Sequence, residues 1–129
     1  MLTIEPSYAP LDLTATPLHL APGSRVMTVN GFAWNPAALA DYTIATADDG
    51  VDGRLVVVID DEGRGDHWER HLADEAIVCL TGRVSVLRST DASDATAQEV
   101  ILGPGEAIVN PAGQWHTVDM HGAARILTI

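Results

Sequence analysis

Residues 103–116 read GPGEAIVNPAGQWH, and how this stretch is read decides the fold. A short apolar run, AIVN, is bracketed by Gly-Pro-Gly on one side and Pro-Ala-Gly on the other. Glycine permits the left-handed backbone of tight turns and proline fixes the entry angle, so the run is a strand between two turns. A histidine, His116, follows the second turn by two residues. The turn starts a neighbouring strand and aims that imidazole back toward whatever the first strand packs on.

Working outward, the same grammar recurs. RLVVVID (54–60) is apolar and β-branched, HWERH (67–71) alternates, EAIVCL (75–80) runs into Thr81-Gly82, and RVSVLRS (83–89) alternates again. STDASDATAQ (89–98) is a polar hairpin connector, DEGRGD (61–66) reads as a solvated acidic loop, and ARILTI (124–129) closes the chain. Short strands at regular spacing with turn signals indicate an all-β sandwich or barrel. Prolines at 6, 10, 17, 22 and 36 keep residues 1–33 extended, with RVMTVN (25–30) as a strand. Asn35-Pro36 predicts one short helix, with Asn35 as N-cap and Pro36 at the first helical position. Tyr42–Thr46 reads as a further strand.

Length and composition set outer limits. The 129 residues fit a single core, and 47% apolar residues suffice to fill it. Seven Lys and Arg against eighteen Asp and Glu give a formal charge of −11, which argues against nucleic acid or an anionic membrane as partner. Cys79 is the one cysteine, so no intrachain disulfide forms. The first residues, MLTIEPSYAP, lack a basic segment followed by an apolar core, and no apolar run reaches membrane-spanning length, so a cytoplasmic protein is expected.

The chemistry-bearing residues form a pattern. Glu69 and His71 are two apart and share a strand face. Glu75 follows after a gap that allows a tight bend, which returns its side chain to the first pair. Here the sequence resembles the cupin family. That family's first motif is Gly, five residues, His-x-His, three or four residues, Glu, six residues, Gly; this chain has Gly63, Glu69-x-His71, Glu75 and Gly82. Its second motif is Gly, five residues, Pro-x-Gly, two residues, His; this chain has Gly105, Pro111, Gly113 and His116. Glu69 stands where the family usually has its first histidine, and Met120 where the second motif often ends in Asn. WERH with a following acid is similar to a large group of single-domain cupins without assigned activity.

The resemblance implies a double-stranded β-helix, or jelly-roll, barrel over residues 37–129, with residues 1–36 as an extended segment packing on the barrel or on a dimer partner. It implies a homodimer, and a metal site formed by Glu69, His71, Glu75 and His116. Two imidazoles with two carboxylates suit Zn, Fe or Mn better than Cu. Two carboxylates facing one interior need a counter-charge. A divalent cation supplies it, and so does a shared proton or a pair of protonated histidines. The functional expectation is a metal-dependent enzyme of dioxygenase, isomerase or lyase type on a small organic ligand, with Glu69 and Glu75 as acid/base groups or ligands. The alternatives are a non-catalytic small-molecule binding or sensor domain without metal, and a barrel plugged by Met27, Met120 or Ile108.

Other residues receive plainer readings. His67 shares parity with Glu69 and takes the missing histidine's role only if the strand bulges; a solvated loop-end histidine is the simpler reading. Trp68 and Trp115 flank ligand positions and so face the other side of the sheet. Cys79 faces the interior as a small apolar group. His19 and His121 are surface or packing residues.

Overall fold

The computed structural model describes residues 1–65 and 67–129; Asp66, at the end of the expected acidic loop, lies outside the described residues. The chain divides into two compact units, Met1–Val58 with Ile129, and Ile59–Thr128. Among the described residues no helix is long and apolar enough to cross a membrane.

In the first unit, β1 (Thr3–Glu5), β2 (Leu18–Ala21), β3 (Arg25–Asn30) and the start of β4 (Arg54–Arg64) form antiparallel pairs in the order β1-β3-β2-β4. Register is set by pairs such as Thr3 with Asn30, Leu18 with Thr28 and Leu18 with Val56. Helix α1 (Pro36–Ala45) starts where Asn35 predicts, the Asn35 side chain accepting from Ala38 N at 2.8 Å. It runs through Tyr42–Ala45 and is capped by Thr46, a stretch the sequence suggested as strand. The Thr43 and Thr46 hydroxyls donate to the Leu39 and Tyr42 carbonyls at 2.9 Å, so β-branched residues are accommodated in helix by bonding back one turn. A 3₁₀ segment, Ala47–Asp52, follows.

The second unit holds the remainder of β4, then β5 (Glu75–Thr81), β6 (Val84–Ser89), a 3₁₀ turn (Asp94–Thr96), β7 (Gln98–Leu102), β8 (Ala107–Asn110) and β9 (Trp115–Thr128). β9 is the organising strand. Residues 115–120 pair with β6, and residues 125–128 pair with β5. Gly122, at φ +81°, lies between the two stretches. One strand of 14 residues therefore spans what the sequence suggested as two. β5 also pairs with β8, and β6 with β7, all antiparallel. β4 likewise runs to Arg64, into the expected DEGRGD loop; Gly65 N donates to Val118 O at 2.9 Å, satisfying backbone that a loop would leave to water. HWERH forms no strand, only one bridge between Glu69 and His116. With one α-helix among the described residues and antiparallel sheets, the architecture is the expected jelly-roll class.

The faces of this unit's strands position the site. Cys79 and Ile77 on β5, Val84 and Val86 on β6, Leu102 on β7, and Met120, Ala124 and Ile126 on β9 form one apolar cluster, with Ile108 and Val118 against it. Following each face two residues further, the polarity changes. Ile77 gives way to Glu75, Val86 to Arg88, Ile108 to Asn110 and Val118 to His116. Strand alternation thus sets four polar side chains at one end of an apolar core.

Candidate metal centre

His116 is placed by the turn that precedes it. Gly113, at φ +82°, takes the left-handed conformation that the Pro-Ala-Gly turn requires, and its N–H donates to His71 O at 2.8 Å. Asp74 Oδ1 accepts from Ala112 N at 2.8 Å. Glu69 and His116 exchange both backbone bonds, at 3.0 and 2.9 Å. The loop carrying Glu69 and His71 is therefore stapled to the turn carrying His116 by main-chain bonds, although the two motifs lie far apart in sequence.

The side chains converge accordingly. Ligand atoms of Glu69, His71 and His116 lie within 4.8 Å of one another. Glu75 joins through both rings, Oε1 being 3.0 Å from His116 Nε2 and Oε2 3.2 Å from His71 Nε2. The ring centroids are 5.2 Å apart. His116 is buried, with its side chain 4% exposed, and Glu75 largely so; the His71 side chain is 39% exposed and Glu69 lies at the solvent side.

Charge follows geometry. Burial would raise the Glu75 carboxyl, but the close approach of the His116 and His71 rings overcomes it and brings Glu75 down to about 2. The Glu75 contact raises His71 above the usual imidazole range against the opposing effect of burial. Burial would lower His116, but Glu75 and the Gln114 carbonyl outweigh it and raise it.

The donor set fits a divalent transition metal. Gln114 O, 3.1 Å from His116 Nδ1, can only accept, so Nδ1 carries a proton and Nε2 is the nitrogen that faces Glu75 and the cluster. His71 Nε2 is buried without a hydrogen-bond partner, since its approach to Glu75 is close but poorly aligned. A metal bound there would replace the proton that an imidazole otherwise holds against Glu75.

The neighbouring candidates fall elsewhere. His67 is 73% exposed, and its Nε2 lies 3.9 Å from Glu69 Oε1. Trp68 lines a hollow of about 240 Å³ with Thr117, on the face of β9 opposite His116, and Arg70 stacks 4.7 Å over the Trp115 ring. Cys79 is fully buried in the apolar cluster. The larger hollow in this unit, about 560 Å³, is lined by residues such as Asp60 and Arg125 and by none of the four ligand candidates. His121 Nε2 bonds to Ser85 Oγ at 2.6 Å. His19 is buried with both ring nitrogens engaged.

Two polar residues escaped the sequence reading. Arg88 is directly opposite His116 across β6 and β9, and Asn110 directly opposite Glu75 across β8 and β5. The signal was present: in RVSVLRS and AIVN, alternation from Val84, Val86 and Ile108 puts Arg88 and Asn110 on the inner face.

No curated protein matches the sequence. A cupin-2 domain protein from Shewanella frigidimarina aligns with TM-score 0.48 and 21% identity, over 57% of this chain and 66% of its own. Hydroxypropylphosphonic acid epoxidase from S. wedmorenis, in complex with fosfomycin, aligns with TM-score 0.50 and 16% identity, over 57% of this chain and 41% of its own. Hydroquinone 1,2-dioxygenase from Sphingomonas sp. TTNP3, with 4-hydroxybenzoate bound, gives 0.48 and 15%, over 57% and 56%. The chain thus spans less than two thirds of the length of each of these structures. The family model described as the cupin domain matches residues 55–129, more than half of the chain, and the chain belongs to the cupin family.

Proposed function

We propose that this domain binds one divalent transition metal, Zn, Fe or Mn, through Glu69, His71, Glu75 and His116, and acts on a small organic molecule as an enzyme of the dioxygenase, isomerase or lyase type. One observation carries the reading: Glu69, His71 and His116, from two distant motifs, bring ligand atoms within 4.8 Å of one another, and the buried Nε2 of His71 has no hydrogen-bond partner. Bound there, such a metal supplies Lewis acidity or activates oxygen. The chain's own residues do the rest. Gln114 O fixes the His116 tautomer, the stapled turn holds Glu69 and His116 in register, and Glu75 serves as ligand or as a proton carrier beside the bound molecule. Elemental analysis of protein purified without chelator tests this, with about one equivalent of metal expected. A folded protein that takes up none of the three ions overturns it.

A second reading has its own observation. Glu75 already touches both imidazoles, which balances charge without a metal and suits a non-catalytic binding domain. The same uptake measurement separates the two.

A further inference from the structure

The polar end of the second unit holds more than the four ligand candidates. Arg88 is half-buried on β6, with its side chain on the inner face beside His116. Its Nε donates to Asn110 Oδ1 at 2.8 Å, and its Nη2 donates to the Val109 carbonyl. Because arginine only donates, the oxygen of Asn110 must face it, and the amide orientation is fixed. Asn110 is 1% exposed, and its Nδ2 has no hydrogen-bond partner. A buried amide donor without an acceptor is destabilising.

Bracing β6 against β8 explains the Arg88 bonds but not that orphaned donor. A leucine at 110 would pack on Ile108 without the penalty. Arg88 in turn uses two of its five N–H groups in the bonds above, which leaves a fork of donors next to the Asn110 amide. Both lie on the strand faces that carry His116 and Glu75. The charge balance points the same way. Glu69 and Glu75 contribute two negative charges, Arg88 one positive and a divalent ion two positive, leaving one positive charge for a ligand to neutralise.

We propose that the small molecule taken by this site carries a carboxylate, received by the Arg88 guanidinium and Asn110 Nδ2 beside the metal centre. The charge argument rests on the metal reading; the two donors belong to the chain and do not. A planar carboxylate offers two acceptor oxygens, matching a guanidinium edge and an adjacent amide. Arg88 and Asn110 are specificity-determining residues on this account.

The test follows side-chain ¹⁵N–¹H resonances of Arg88 Nε and Asn110 Nδ2 while acetate, and separately the neutral isostere acetamide, is titrated into full-length protein. Zn content is measured on the same samples, and both Zn-loaded and metal-free protein are used. Acetate is expected to shift both resonances in the Zn-loaded protein, with acetamide at least tenfold weaker. Asn110→Asp keeps the oxygen that Arg88 needs but removes the donor and adds a negative charge; it is expected to weaken acetate at least tenfold while Zn uptake persists. Arg88→Lys keeps the charge and loses the fork, and is expected to weaken acetate less. Zn uptake with no acetate response at Arg88 and Asn110, or equal response to acetamide, overturns the carboxylate proposal alone. If no Zn is taken up, Fe and Mn uptake decide the metal reading, and acetate titration of the metal-free protein still decides the carboxylate proposal by the same two resonances.

Discussion

Each unit of the molecule contains a histidine set against a carboxylate, and the two clusters differ in whether every polar atom is satisfied. In the first unit, His19 Nε2 donates to Asp49 Oδ2 at 2.7 Å and Nδ1 accepts from the Tyr42 hydroxyl at 2.6 Å. Gly53 crowds the same ring, since a Cβ there would lie 2.9 Å from His19 Cε1. This cluster is closed: it ties β2 to α1 and to the 3₁₀ segment, and leaves no vacant valence. In the second unit, Glu75 is shared between two imidazoles, His71 Nε2 lacks a hydrogen-bond partner, and so does Asn110 Nδ2. Buried polar atoms are normally paired. A closed cluster is architecture, and an open one is built for something that arrives.

The strongest way to break this contrast is a pair of substitutions. His116→Ala removes a proposed ligand; metal uptake is expected to fall a hundredfold or more while the protein stays folded, as read by elemental analysis and circular dichroism. His19→Ala is expected to do the reverse. It leaves Asp49 and Tyr42 without their partner and opens a cavity, costing about 2–4 kcal/mol by urea denaturation, with metal uptake unchanged. Equal effects of both variants on metal content would erase the distinction.

The sequence made one cluster legible and hid the other for a physical reason. The candidate site residues sit at spacings fixed by two turns and a hairpin, so Gly63, Gly82, Pro111 and Gly113 announce them. His19 has no such frame: its partners lie 23 and 30 residues away, one on a helix that the β-branched run Tyr42–Thr46 disguised. Arg88 and Asn110 were readable from alternation alone, but a strand pattern marks a face without saying that two faces will meet. The length of β9 was hidden too, because pairing with β6 and then β5 holds the strand together through Gly122.

A smaller effect sharpens what Glu75 does. Glu75→Gln keeps the shape and removes the charge shared by His71 and His116. Metal affinity is expected to fall about 10–100-fold, because one of the four proposed ligands loses its charge but keeps an oxygen donor, as measured by competition with a chromogenic chelator. An unchanged affinity would assign Glu75 to the apo protein only.

The turn is next. Gly113→Ala places a Cβ on a residue at φ +82°, which costs about 1 kcal/mol, and strains the bond from its N–H to His71 O. Metal affinity is expected to fall about threefold to tenfold, because the change misplaces His116 relative to His71 rather than removing either. An equivalent loss of stability with full affinity would show that the staple is dispensable.

The closed cluster yields the mildest prediction. Burial, with the nearby Asp49 charge, pushes the Tyr42 hydroxyl up to about 12 from its ordinary value of 10.0. A group whose folded value is raised contributes stability that is complete below its unfolded value and is lost as pH climbs through the folded one. The first unit is therefore expected to hold its full Tyr42 contribution up to about pH 10 and to lose it between about pH 10 and 12. Absorbance at the tyrosinate band follows this directly, since the chain has two tyrosines and Tyr8 is exposed. A late ionisation step that Tyr42→Phe removes is the expected result. If the late step survives that substitution, the Tyr42 hydroxyl is not held by His19, and the first cluster is less closed than its distances imply.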